Sequence, residues 1–241
     1  MTIITPETRR AGRGLPPSFG YGWFLKNGGQ FDRVLYHFGN SPFHMGMIDL
    51  LAQIPGVVVL HDFGLGELAA EVSTSGLDPA FWPRMLYDSH GLPACQAWAC
   101  RQTRARLADR YPCSRFVFDQ AQGVLVHSRF AKDLALRHYG EAAAARTSIV
   151  PFLQTSRRLD RRAARKALGL SDADLLVCSF GFVGPAKRSE ALLAAWKAAE
   201  LGRRARLVFV GKAPAGQEGR DFDRALKDAA PASAFVTGFA P

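Results

Sequence analysis

Along most of the 241 residues, short apolar runs alternate with stretches whose apolar positions recur every three or four residues. Val57, Val58, Val59 and Leu60 form one such run, started by Pro55-Gly56 and ended by His61-Asp62. An uninterrupted apolar run of strand formers suits a central parallel strand covered on both faces. The same reading predicts strands over 32–39, 56–61, 123–128, 147–152, 174–183, 205–211 and 234–239. Helical periodicity falls between them, over about 41–54, 65–75, 78–89, 94–111, 128–140, 158–170, 187–200 and 218–229. Ser41 followed by Pro42, Asp78 before Pro79, and Ser128 mark helix starts; Gly140 and Gly169 mark stops. Leu192, Leu193, Trp196 and Ala199 give the 187–200 helix an apolar face.

Strand–helix alternation of this kind predicts an α/β protein with parallel sheets and helices on both faces. The segment "VPFLQTSRRLD" divides it into two Rossmann-like domains, 1–150 and 151–241. The first 30 residues are rich in Gly, Pro and Arg, so little regular structure is expected before Asp32.

Composition adds boundaries. At 48% hydrophobic and 22% charged residues the chain is of ordinary globular make-up. No apolar run approaches the roughly 20 residues of a membrane span, and the N-terminus lacks a signal-type apolar core, so a cytoplasmic location is expected. Cys95, Cys100, Cys113 and Cys178 match no tight zinc spacing, and Cys178 reads as a small core residue. No metal site is expected: His37 and His44 fall on different elements, and no H-E-x-x-H pattern exists.

The net charge of +10 admits nucleic acid, an anionic membrane surface or phosphate-bearing small molecules as partners, or simply a solvated arginine-rich surface. Aromatics do not interleave with the basic clusters and no nucleic-acid-binding signature is present, so no nucleic acid is expected.

Candidate chemistry gathers at strand ends, where open α/β sheets bind ligands. His61 and Asp62 end one strand; Gly39 and Asn40 end the preceding one; Ser128 follows a third. Each has a plainer reading as well, Asp62 and Ser128 as helix caps and Asn40 as a turn residue. A second group is the loop after 174–183, where Gly181 and Gly184 allow close backbone approach and Lys187, followed by Arg188, opens a helix. The spacing is that of neither a P-loop nor a G-x-G-x-x-G turn. An ordinary turn with a surface lysine is the alternative. No G-x-S-x-G elbow supports a hydrolase.

The layout "LGL…LLVCSFGFVGPAKRSEALLAAW…ARLVFVG…FVTGF" resembles the nucleotide-sugar half of family-4 glycosyltransferases, which have the GT-B fold. "YHFGNSPFHMGMIDLL", "PGVVVLHDFGLGELA" and "GVLVHSRFAKDLALRHYG" resemble that family's acceptor-side domain, so the likeness covers roughly residues 32–240. It implies glycosyl transfer from a nucleotide-diphosphate sugar, with retention, to an acceptor hydroxyl. Gly181, Gly184, Lys187, Arg188 and Ser128 would hold the donor diphosphate, and Gly39 and Asn40 would line the acceptor cleft. His61 would lie beside the transferred sugar, with Asp62 fixing its ring or binding an acceptor hydroxyl. No cofactor is implied beyond the nucleotide sugar itself. The basic helices would suit a peripheral position on an anionic membrane carrying a lipid-linked acceptor.

Two departures accompany the likeness. Phe182 stands where the family often has an arginine, and the family's E-x7-E motif has no counterpart before Pro241. The first strand and glycine-rich loop of the family are likewise not evident before Asp32. A second domain that is incomplete is therefore expected, with a non-catalytic remnant, or one part of a split transferase that needs a complementing chain, as the alternative function.

Overall fold

In the computed structural model the described residues are 1–6, 14, 16–100, 103–152, 159–184, 187–229 and 233–239. The chain divides into two units, Met1–Gln154 and Thr155–Pro241.

The first unit is organised by a four-stranded sheet of β3 (Leu35–Phe38), β4 (Val57–Leu60), β5 (Gly123–Val126) and β6 (Thr147–Ile149), all parallel and in the order β3-β4-β5-β6. A two-stranded parallel sheet, β1 (Ile3–Thr5) with β2 (Ser18–Gly20), and helix α1 (Tyr21–Asn27) precede it. These three elements lie where the sequence suggested little regular structure. They are held by aromatic packing: Phe24 is buried, and Phe19 stacks on Trp23 at 4.0 Å. Such short elements carry no readable periodicity.

Helix α2 (Gly46–Gln53) links β3 to β4. A single 3-10 turn, Pro42–His44, precedes it, with the Ser41 hydroxyl accepting the Phe43 N–H, so the helix expected over 41–54 starts only at Gly46. Between β4 and β5 come α3 (Gly66–Thr74), α4 (Phe81–His90), α5 (Leu92–Ala99), α6 (Arg104–Arg110) and α7 (Arg115–Gln120). The single helix expected over 94–111 is two, because Thr103 restarts the chain as an N-cap whose hydroxyl accepts the Arg106 N–H. Helix α7 was not foreseen. Phe116, Val117 and Phe118 are all buried, so its apolar residues run consecutively without helical spacing. Helices α8 (Arg129–Tyr139) and α9 (Glu141–Ala145) lead to β6.

The strand order never reverses. Right-handed crossovers then place the connecting helices on one face of the sheet rather than on both. Burial follows: Tyr36, Phe38, Val58, Leu60, Val124 and Val126 point into the core, while Leu35 and His37 on the other face stay exposed. The core joins these residues to Leu50, Leu51, Leu65, Leu68 and Phe118. Each such side chain contributes about 1.5–3 kcal/mol by leaving water.

The second unit repeats the scheme with α10 (Arg161–Ala167), β7 (Leu175–Phe180), α11 (Ser189–Ala198), β8 (Ala205–Val210), α12 (Gly216–Ala229) and β9 (Ala234–Gly238). Its sheet is parallel in the order β7-β8-β9. Leu207, Phe209 and Ala234 face Leu193, Trp196 and Phe222 of the helices. Cys178, expected in the core, is exposed instead. It pairs with Val208, one step out of phase with Leu207 and Phe209, and so lies on the opposite sheet face. Among the described residues no helix is long and apolar enough to cross a membrane.

Candidate functional site

Three histidines meet at the carboxyl ends of the first unit's strands. The register aligns His37 with Val59, and Val59 with Leu125. His61 stands two residues beyond Val59, and His127 two beyond Leu125. Side chains alternate faces with period two, so all three rings emerge on the face that the crossover helices leave open. Parallel strands advance the rings along a diagonal until they touch. His37 Nδ1 lies 2.9 Å from His61 Nε2, and His61 Nδ1 lies 3.0 Å from His127 Nε2. The far nitrogen of His127, Nδ1, lies 3.0 Å from the Val150 carbonyl oxygen. Phe152 closes the end of the row, its ring centroid 5.0 Å from that of His127 and 6.3 Å from that of His61.

Electrostatics favours the neutral form of His37 and of His61. Burial first, and then the His127 and His44 charges, holds His37 below its ordinary value of 6.5. His61 is lowered chiefly by burial and by His37 and His127, against the opposing pull of Asp62. Both rings keep contact with solvent.

Asp62 does not orient His61, whose two nitrogens belong to His37 and His127. Its Oδ2 accepts the Asn40 N–H at 2.9 Å. Asn40 in turn places its side-chain oxygen 2.9 Å from the Leu68 N–H, in the first turn of α3. Gly39 makes this junction compact: a Cβ there would lie 3.1 Å from His44 Nε2 and 3.3 Å from Asp62 Oδ2. Gly39, Asn40, His44, His61 and Asp62 therefore come together, while the polar groups of Asn40 and Asp62 are occupied in holding the strand ends. Ser128 acts as the N-cap of α8, its hydroxyl accepting the Ala131 N–H at 3.1 Å. His37 also lines an apolar cavity of ≈ 560 Å³ bounded by Ile3, Tyr21, Phe24, Leu35 and Leu50.

His37 and His127 were missed as site residues. The signal available was repetition: "LYHF", "VLHD" and "LVHS" each carry a histidine at the end of a strand.

In the second unit Lys187 and Arg188 precede α11 rather than open it. The helix begins at Ser189, with Arg188 as an N-cap in the left-handed conformation at φ 52°. The Lys187 N–H donates to the Gly184 carbonyl at 3.1 Å, and the Ser189 hydroxyl accepts the Gly184 N–H at 3.1 Å. The Lys187 side chain lies over Gly181, where a Cβ would come within 3.1 Å of its Cε and 3.8 Å of its Nζ. Gly181 itself has φ 109°, which disfavours other residues. Pro185 and Ala186 lie outside the described residues. Lys187 and Arg188 are exposed, so the loop offers two cations beside a bare strand-end backbone.

Fold and site together define an α/β protein of two parallel-sheet units with candidate chemistry at strand carboxyl ends in each. The sequence matches no protein-family model and no curated protein. Among solved structures it is similar to Anabaena Alr3699/HepE. With UDP and glucose bound, that structure is 16% identical at TM-score 0.45, covering 100% of this chain and 69% of the other. The UDP-glucose complex gives 13% identity and TM-score 0.48 over the same shares of 100% and 69%. The catalytic domain of starch synthase IV from Arabidopsis thaliana, bound to ADP and acarbose, is 16% identical at TM-score 0.39, covering 83% of this chain and 51% of that one.

Proposed function

We propose that the chain is a glycosyltransferase that moves a sugar from a nucleotide-diphosphate sugar to an acceptor hydroxyl, with retention. The observation that carries the reading is the Lys187 side chain folded over Gly181 at the end of β7, beside Arg188. When the bond from the sugar to the diphosphate breaks, the leaving group gains negative charge. Fixed cations at that place stabilise the change more than they stabilise the ground state. The first unit supplies the acceptor side, around Gly39, His61 and Asp62. The apolar cavity reached by His37 supports an acceptor with an apolar portion, and the +10 charge supports a peripheral position on an anionic membrane surface.

Calorimetric titration with UDP and with GDP, on the natural chain and on Lys187→Ala, tests the reading. Binding that weakens about tenfold in the variant is the expected result, equivalent to roughly 1.4 kcal/mol of lost charge interaction. No binding of either nucleotide at millimolar concentration overturns it in favour of a non-catalytic module or one part of a split transferase. Equal binding to anionic and neutral vesicles removes the membrane part alone.

A further inference from the structure

The row of rings has a direction, and the Val150 carbonyl sets it. A carbonyl oxygen only accepts, so His127 Nδ1 carries a hydrogen and donates across 3.0 Å. In the neutral ring His127 Nε2 is then the lone-pair nitrogen, and His61 Nδ1–H donates to it. His61 Nε2 is left as an acceptor and takes the His37 Nδ1–H. Each ring fixes the tautomer of the next. The row ends at His37 Nε2, a lone pair with no hydrogen-bond partner among the described residues. Both nitrogens of His61 and both of His127 are engaged.

Hydrogen counting limits what this row can hold. A single added proton at His37 Nε2 leaves every hydrogen bond intact. That charge reaches His61 when His37 passes on its Nδ1 hydrogen, and reaches His127 by one more such step. A second proton has no place: it would set two N–H donors face to face in one of the gaps.

We propose that His37, His61 and His127 form a directional one-proton relay whose open end, His37 Nε2, receives the proton of the acceptor hydroxyl during sugar transfer. The inference rests on the transferase reading and gives His37 a role that the resemblance did not assign to any residue. His61 and His127 are positioning residues. In the step, the acceptor oxygen forms its bond to the anomeric carbon and the bond from that carbon to the diphosphate breaks. Its electron pair stays on the nucleoside diphosphate. The hydroxyl proton goes to His37 Nε2 and from there to solvent. The groups facing the relay are His44 from the turn after β3, Asp62 at the end of β4, the Phe152 ring after β6, and Arg33, which lines the same cavity as His37. Burial and the neighbouring rings keep His37 and His61 below their ordinary value, which favours a neutral His37 able to take up a proton.

Long-range proton–nitrogen NMR of the ¹⁵N-labelled full chain tests the direction without any nucleotide. The expected result is the Nδ1–H tautomer at all three rings at pH 8, and uptake of one proton shared among them as the pH falls to 5. An Nε2–H tautomer at any of the three, or three rings titrating separately, overturns the relay. In His127→Phe, with the amide spectrum otherwise retained, His61 is expected to become a mixture of tautomers. An unchanged His61 overturns the ordering role of His127, and if the variant does not fold the natural chain decides alone.

Diethyl pyrocarbonate, an electrophile that imidazole lone pairs attack at its carbonyl carbon, tests the open end. At pH 7 His37 is expected to react about tenfold faster than His61 and His127, whose lone pairs already accept hydrogen bonds. Equal reaction at His61 overturns the assignment. Neither measurement involves nucleotide binding, so loss of the relay and loss of the donor site are separable results.

Discussion

The Asn40 side-chain oxygen lies 2.9 Å from the backbone nitrogen of Leu68, so a residue at the end of β3 caps helix α3 from 28 positions upstream. Leu65, the helix's own N-cap, has no side-chain acceptor. Helix starts without a cap lose about 1 kcal/mol. Asn40→Ala is therefore expected to destabilise the protein by about 1 kcal/mol, and Asn40→Asp by less, since a carboxylate oxygen still accepts. Urea midpoints of the two variants check this. An Asn40→Ala midpoint equal to that of the natural chain would show that the cap contributes nothing.

Gly211 packs its backbone against the Gly181 carbonyl, so closely that a Cβ would collide with that oxygen. Gly211→Ala is expected to cost about 2–3 kcal/mol, because backbone of two strands must separate rather than one flexible side chain. It also moves Gly181, on which Lys187 rests. Trp196, buried in the second unit, reports the unfolding by fluorescence. A variant with natural stability and unchanged Lys187-dependent UDP or GDP binding contradicts the prediction.

His90 gives the stability an acid slope. Its Nε2 accepts the Cys113 N–H at 3.1 Å, which only the neutral ring does. Burial, followed by the neighbouring His138, pushes it from 6.5 down to about 4. The unfolded chain therefore binds a proton that the folded chain refuses. The contribution is complete above pH 6.5 and is lost as the pH falls towards about 4. The urea midpoint is expected to drop between pH 7 and pH 5, less steeply in His90→Gln, whose amide oxygen replaces the acceptor. Parallel slopes in the two proteins rule out His90 as the source.

Tyr139 serves a buried junction: its hydroxyl accepts the Ser114 N–H at 3.0 Å and sits 3.1 Å from the Ser114 hydroxyl. Tyr139→Phe leaves a buried backbone donor without a partner, and is expected to cost about 1–3 kcal/mol with little change in volume. Thermal unfolding of the variant measures the loss, and an unshifted transition would mean that water replaces the hydroxyl.

The strands of the four-stranded and three-stranded sheets were legible because their apolar runs are bounded by Gly, Pro and helix caps, and those signals are local. Helix α7 and the elements before Asp32 were not, since their burial depends on aromatic contacts with distant segments. One-sided helix coverage was also invisible: Val57–Leu60 reads the same whichever way the strand order runs. That is why Cys178 was misplaced. At the site, the strand-end position identified His61, yet its partners depend on register across three strands. Asp62 looked like the natural companion because it is adjacent in sequence, whereas adjacent residues point to opposite faces.

The two hydrogen bonds of His61 close loops of different size, 24 residues to His37 and 66 to His127. Closing the longer loop costs about 0.9 kcal/mol more chain entropy, and five helices lie within it. Loop closure must precede the gain from contacts so distant along the chain, which makes such pairing intrinsically slow. The β3–β4 pair can therefore assemble early with His37 and His61 already joined. His127 arrives only when β5 docks, so the full row of rings reports whether the β4–β5 pairing is in place.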